Sequence, residues 1–359
     1  MSVALTVVAV LVALGLAGWL HLRYWVRKLT VPLHYASTER LALADGAAIE
    51  LRHLAHEPSD EVREPPLPPV LIVHGIGANH RNLDLTNDRS LARVLAAAGR
   101  DVWLLRLRSA LPTPARLMRF DAMVKHDVPT AVRAVLAHTG QPALDYVGFS
   151  MGGMLLYAGL GRTVPLAEVR RAVLVGSPGR IVLPLSAMRA LRFLPRALTP
   201  SLPVRVLSRL TAFAADWLPT TPLHHVVYNP RNMPPGLAGA ALVNMIEDLP
   251  GALLADFAAW GFADGELRLD GARLLDGLHG VETPVAFYAG AADGLAPPDS
   301  VRAAHDAWGA KVPGFTDKSF AVLGVAHGSS ADYGHGDLAA GEAVARELFE
   351  PVLAFLDRG

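Results

Sequence analysis

The sequence predicts an α/β fold, a mostly parallel sheet flanked by helices. Three observations predict it. Six short, largely apolar runs have the length of strands buried on both faces. Helical patterns separate several of these runs. The run at 144–147 leads into a glycine-flanked turn that opens another apolar, helix-like stretch.

The elements follow in order. Residues 2–20, SVALTVVAVLVALGLAGWL, carry no charge. As a helix, 19 residues at about 1.5 Å each reach roughly 28 Å, the thickness of a bilayer's hydrocarbon. His21 to Lys28 then supply the interfacial aromatics Tyr24 and Trp25 and the charges Arg23, Arg27 and Lys28. No basic residue precedes the apolar run and Gly15/Ala17 makes a poor cleavage site, so a single-pass anchor is expected rather than a cleaved signal. The positive charges after the span place the body in the cytoplasm by the positive-inside rule.

Residues 40–55 read as a hairpin turning at Asp45-Gly46, and the proline-rich stretch Pro58–Pro69 as a loop. The buried strands are expected at Val70–Val73, Val102–Leu105, Leu144–Val147, Ala172–Val175, Val285–Tyr288 and Phe320–Leu323. Helices are expected at Arg89–Ala98, at Pro129–His138 with Gly140 as its C-terminal cap, at Met151–Leu160 and at Leu338–Leu356. From Arg180 to Phe262 the alternation stops, and helical fragments punctuated by prolines read as a helical insertion between two strands. The expected organisation is an anchor and basic flank at 1–29, core at 30–179, a helical cap at 180–262, and core again at 263–359.

Composition narrows the chemistry. The chain has 359 residues, with 33 Lys and Arg against 33 Asp and Glu. A net charge of zero argues against a partner bound through a nucleic-acid backbone. The absence of cysteine excludes disulfides, thiolate metal sites and a cysteine nucleophile.

The most specific motif is Gly148-Phe149-Ser150-Met151-Gly152, set between a strand and an apolar helix. In that context the turn lifts the serine hydroxyl above the strand ends, and glycine is needed two positions to either side. The helix that follows presents free N–H groups, so the Met151 N–H is an oxyanion donor candidate. Val73-His74-Gly75-Ile76-Gly77 follows the third strand, and its Ile76 N–H is the second candidate. A serine nucleophile needs a base, and the base an orienting carboxylate. Asp293 lies just past the Val285–Tyr288 strand, while the neighbouring Asp299 reads as a cap for a helix starting near Val301. The base is His327 or His335, both between the last strand and the last helix, and spacing alone leaves the two open. Asp337 reads as a cap for that last helix. The adjacent His224 and His225 have poor geometry for sharing an ion and read as surface; no metal site is expected.

On these residues the chain resembles the α/β-hydrolase superfamily, and more narrowly the acid lipase group with related bacterial cap-bearing esterases. The matching motifs are His74-Gly75-Ile76, the elbow around Ser150, Gly290-Ala-Ala-Asp293-Gly-Leu295-Ala296-Pro-Pro298, and Tyr333-Gly-His335-Gly-Asp337 with Gly341. The resemblance implies a Ser150-Asp293-His335 triad, choosing His335 over His327. The 42 residues from Asp293 to His335 make a longer interval than the group's. It also implies hydrolysis of carboxylic esters through an acyl-enzyme, with no metal or organic cofactor. An apolar cap, including Ile181–Leu185 and the helices around Leu191–Leu218, beside a bilayer points to lipophilic or lipid esters. An acyltransferase would share the elbow, and a membrane-tethered binding protein would share the fold. Epoxide opening or dehalogenation would need an aspartate where Ser150 stands.

Overall fold

A computed structural model describes residues 3–54, 66–183, 199–217 and 226–358. The first part of the expected loop at 58–69, the end of the Ile181–Leu185 segment, residues 191–198, Leu218 and the His224-His225 pair lie outside those residues.

An eight-stranded sheet forms the body. Its strands are β1 (Ser37–Ala42), β2 (Ala48–Leu54), β3 (Val70–Val73), β4 (Val102–Arg106), β5 (Leu144–Phe149), β6 (Val169–Val175), β9 (Val285–Gly290) and β10 (Lys318–Leu323), and a separate two-stranded ribbon pairs β7 (Arg268–Leu269) with β8 (Ala272–Arg273). The order is β1-β2-β4-β3-β5-β6-β9-β10. The β1–β2 and β2–β4 pairs are antiparallel, and every later pair is parallel. Central strands β3 and β5 are buried along their whole length, as continuous apolar runs require when helices cover both faces. The Phe320–Leu323 run departs from that expectation. It lies in edge strand β10, where exposure alternates and only Leu323 is buried: Phe320 packs on the core from one face, while Ser319 and Ala321 are exposed on the other.

Helices among the described residues include α1 (Val3–Leu29), α2 (Leu91–Ala97), α3 (Val128–Thr139), α4 (Met151–Gly159), α5 (Val204–Thr211), α6 (Leu237–Asn244), α7 (Gly251–Phe262), α8 (Pro298–Ala307), α9 (Asp337–Ala340) and α10 (Glu350–Leu356). One face of the sheet packs Val128 and Val132 of α3, Met154 and Leu155 of α4 and Val301 of α8. The other packs Leu91 and Leu95 of α2 and Val352 and Phe355 of α10. Ser90 caps α2 by accepting from Arg93 N, and Gly140 closes α3 with φ 66°.

Several expected boundaries differ by a few residues, and two have a plain physical cause. The helix expected over 338–356 is broken at Gly341, where a β-carbon would stand 2.7 Å from the Asp337 carbonyl oxygen and 2.8 Å from the Tyr333 ring. Helix α8 starts at Pro298, so Asp299 lies exposed in its first turn instead of capping it. Proline suits such a start because the first turn needs no N–H there.

Helices α5, α6 and α7 all lie between β6 and β9 in the chain, where the alternation stops. Helix α1 has two parts. Residues 3–20 are exposed on every side, whereas 21, 22, 25, 26 and 29 form a half-buried stripe against α5 and α6.

Candidate active site

The serine elbow sits where β5 ends and α4 begins. Ser150 has φ 53° and ψ −118°, a conformation strained for a residue with a β-carbon. Three bonds hold it there: Ser150 N donates to Val175 O at 2.8 Å, and Ser150 O accepts from Gly153 N at 3.0 Å and Met154 N at 3.3 Å. The flanking glycines are required by contact. A β-carbon on Gly148 would lie 2.6 Å from Gly153 N, and one on Gly152 would run into the Val73 carbonyl.

The loop after β3 lies directly against the serine. A β-carbon on Gly75 would stand 3.0 Å from Ser150 Cβ and 3.4 Å from its Oγ. His74 sets the loop's peptide planes. Its Nε2 accepts from Leu107 N at 3.1 Å, so Nδ1 carries the proton and donates to Gly75 O at 2.8 Å. Burial drives the imidazole's pKa down to about 4, which keeps this neutral tautomer in place. In a trans peptide the carbonyl and the following N–H point opposite ways, so anchoring Gly75 O turns the Ile76 N–H away from His74. Among the described residues, no protein group accepts from Ile76 N. Met151 is the first residue of α4, where the N–H has no partner within the helix.

Asp293 and His335 come together from the loops that follow β9 and β10. His335 Nδ1 and Asp293 Oδ2 are 2.7 Å apart. The other carboxylate oxygen, Oδ1, accepts from Leu295 N at 2.8 Å and Ala296 N at 2.7 Å. Asp293 is 3% exposed, His335 8% and Ser150 9%, so the three form a graded set from buried carboxylate to reachable hydroxyl. The His335 ring packs edge-on against Phe149, the residue before the serine, with centroids 5.0 Å apart. It also covers Gly176, the residue after β6, where a β-carbon would lie 3.2 Å from His335 Cε1. His327 stands apart, exposed on a single turn after β10.

The residues between β6 and β9 touch both sides of this site. The segment Met245–Leu249 runs alongside the loop after β3: Asn79 N donates to Met245 O at 3.1 Å and Glu247 N to Gly77 O at 2.9 Å. On the other side, Asp337 does more than begin α9. It accepts from Gly334 N at 2.9 Å, Asn229 N at 2.9 Å and Asn232 Nδ2 at 2.7 Å, and so fixes the turn that carries His335. Burial raises the Asp337 carboxyl above its ordinary value, against the pull of those donors.

Sequence reasoning missed three supports. Asn82 Oδ1 accepts from Gly75 N at 3.1 Å, Asn79 Nδ2 donates to Glu247 Oε1 at 2.8 Å, and Asn232 holds Asp337. The run Asn79-His-Arg-Asn82 is polar in the sequence, and only the structure shows it buried.

A family model described as the alpha/beta hydrolase fold matches residues 68–312, more than half of the chain; the span holds Ser150 and Asp293 and ends before His335. Human gastric triacylglycerol lipase is 28% identical over 167 residues, covering 43% of this chain and 42% of that protein. Human lysosomal acid lipase/cholesteryl ester hydrolase is 29% identical over 137 residues, 34% of each. The chain thus spans less than half the length of these curated relatives. Among solved structures, an esterase from Thermogutta terrifontis superposes with TM-score 0.55 at 17% identity, over 89% of this chain and 98% of that one. A bacterial membrane phospholipase A superposes with TM-score 0.52 at 20% identity, over 98% of this chain and 96% of that one. At these identities the superpositions speak to fold.

Proposed function

The chain belongs to the α/β-hydrolase fold family, and on that premise we propose that it is a serine hydrolase of carboxylic esters. The observation that carries the reading is the Asp293–His335 contact of 2.7 Å beside a serine held at φ 53°. Ser150 attacks the ester carbonyl as His335 Nε2 takes its proton, and Asp293 stabilises the imidazolium that results. The Ile76 and Met151 N–H groups receive the tetrahedral oxyanion. His335 then gives its proton to the departing alcohol. Water, deprotonated by the same histidine, releases the acid from the acyl-serine.

The substrates proposed are lipophilic esters, acylglycerols or other lipid esters. The names of the relatives, triacylglycerol lipase and cholesteryl ester hydrolase, support that class. Residues 180–262 act as the cap, since their described parts reach both the oxyanion loop and the His335 turn. Helix α1 anchors the protein in a membrane as a single span, with the body on the cytoplasmic side where Arg23, Arg27 and Lys28 lie.

Full-length protein in detergent, treated with a fluorescent fluorophosphonate, tests the reading. Labelling of wild type that is lost in Ser150→Ala and His335→Ala and kept in His327→Ala is the expected result. A folded wild type that takes no label would sink it, and loss in His327→Ala alone would move the base. An ester chain-length series then tests the substrate class, and a strong preference for acetyl esters counts against lipids.

A further inference from the structure

We infer that the outer face of α5, with the turn that follows it, rests on the same lipid bilayer that α1 crosses. The inference builds on α1 being a membrane span. Residues 3–20 of α1 are exposed on every side, and 18 residues at about 1.5 Å each give roughly 27 Å, one hydrocarbon thickness. The foot of the helix is docked on the body. His21 and Trp25 pack on Phe213 with ring centroids 4.7 Å and 5.7 Å apart, and His21 Nε2 lies 3.4 Å from Leu210 O. Asn244 of α6 closes the joint, donating to Leu29 O at 2.8 Å and accepting from Val31 N at 3.1 Å.

That docking sets a depth. His21 follows the free segment directly, so Phe213 stands where the hydrocarbon ends. The cations of α1 mark the same level: Arg23 lies over the Trp19 ring at 5.2 Å and Lys28 over Trp25 at 4.7 Å, a pairing suited to the headgroup region. Around Phe213 the surface is mainly apolar, and the exposed Asp216 on the same turn accepts from Gly236 N at 3.2 Å. Leu202, Val206, Leu207, Phe213 and Trp217 are 43%, 50%, 62%, 38% and 80% exposed. Val206 and Leu207 stand on α5, Phe213 and Trp217 on the turn that follows it, and Leu202 just before it. The arginines of α5 are drawn off this face. Arg205 Nη1 lies 3.4 Å from Glu247 Oε2, and Arg209 Nη2 donates to Val243 O at 3.3 Å. An apolar face at headgroup depth, continuous with a spanning helix, fits a bilayer. It also brings lipid close to the reacting groups, because Leu202 pairs with Leu249, next to the segment that bonds the oxyanion loop.

The chain has no cysteine, so single reporters can be placed cleanly. Leu207→Cys, Trp217→Cys, Val10→Cys and Glu342→Cys are labelled with a polarity-sensitive fluorophore and the full chain is reconstituted in phosphatidylcholine vesicles. The expected result is deep quenching at 10 by nitroxide lipids, a blue shift with shallow quenching at 207 and 217, and aqueous emission at 342. Aqueous emission at 207 and 217 with deep quenching at 10 overturns the docking and leaves the anchor standing. A blue shift that follows protein density and resists lipid quenching assigns the face to a second copy, and also overturns it. Aqueous emission at 10 removes the anchor, and the docking with it. Leu207→Asp supplies a functional readout: turnover of a vesicle-borne ester is lost while a soluble short ester is cleaved as by wild type. Equal loss on both esters counts against the docking.

Discussion

Asp293 divides its two carboxylate oxygens between different tasks, and His335 meets only one of them. Oδ1 is taken by Leu295 N and Ala296 N, which leaves Oδ2 for His335 Nδ1 at 2.7 Å. The division predicts the outcome of Asp293→Asn. The asparagine keeps its carbonyl oxygen on the two backbone donors, so its NH2 faces Nδ1. The imidazole must then carry its proton on Nε2, where it cannot accept from Ser150. The expected result is a fall in kcat of roughly 10⁴-fold with little change in thermal stability. Steady-state kinetics beside a melting curve checks it.

Gly75→Ala tests the contact between the proposed oxyanion loop and the proposed nucleophile, Ser150. The new methyl would stand 3.0 Å from Ser150 Cβ, so loop and serine must part by a few tenths of an ångström. A fall in kcat of about 100-fold, in a protein that still folds, is expected from misplacing a reacting group. Active-site titration with the fluorophosphonate separates slowed attack from a reduced active fraction.

Asn79→Ala tests whether the segment after α6 positions the loop. Asn79 Oδ1 accepts from Arg81 N at 2.9 Å, and its Nδ2 donates to Asn244 O at 3.0 Å and Glu247 Oε1 at 2.8 Å. The variant leaves buried Glu247 short of a donor, a cost of about 1–3 kcal/mol measured by urea unfolding. The oxyanion loop loosens as well, so kcat should fall about tenfold while KM holds. A change confined to stability would make Asn79 structural only.

His74 makes the protein sensitive to acid. In the unfolded chain its imidazole takes up a proton as pH falls below about 6.5, whereas the folded site holds it neutral until about pH 4. Its contribution is therefore whole above pH 6.5 and lost as pH falls toward 4. The loss amounts to about 3 kcal/mol. Unfolding free energies across that window, for wild type and His74→Gln, should differ in slope by one proton.

Much of this was legible in the chain. Gly148, Ser150 and Gly152 marked the elbow because a strand-to-helix turn of that sharpness excludes side chains at fixed offsets. Continuous apolar runs marked β3 to β6 and β9 because both sheet faces are covered. Edge strand β10 escaped that logic, since the face bearing Ser319 and Ala321 is left exposed.

What the sequence determined by itself is local chemistry: the serine turn, the strand periods, the apolar span and the acid-then-histidine order, each written in residues close together in the chain. Tertiary structure decided the rest. His327 and His335 are eight residues apart in similar surroundings, and only the packing of β9 beside β10 and the bonds of Asp337 put one of them against Asp293. The tie between Asn79 and the segment after α6, and the docking of Trp25 on Phe213, join residues more than 150 positions apart. No local period encodes such contacts, because they exist only once burial of the core has set the elements side by side.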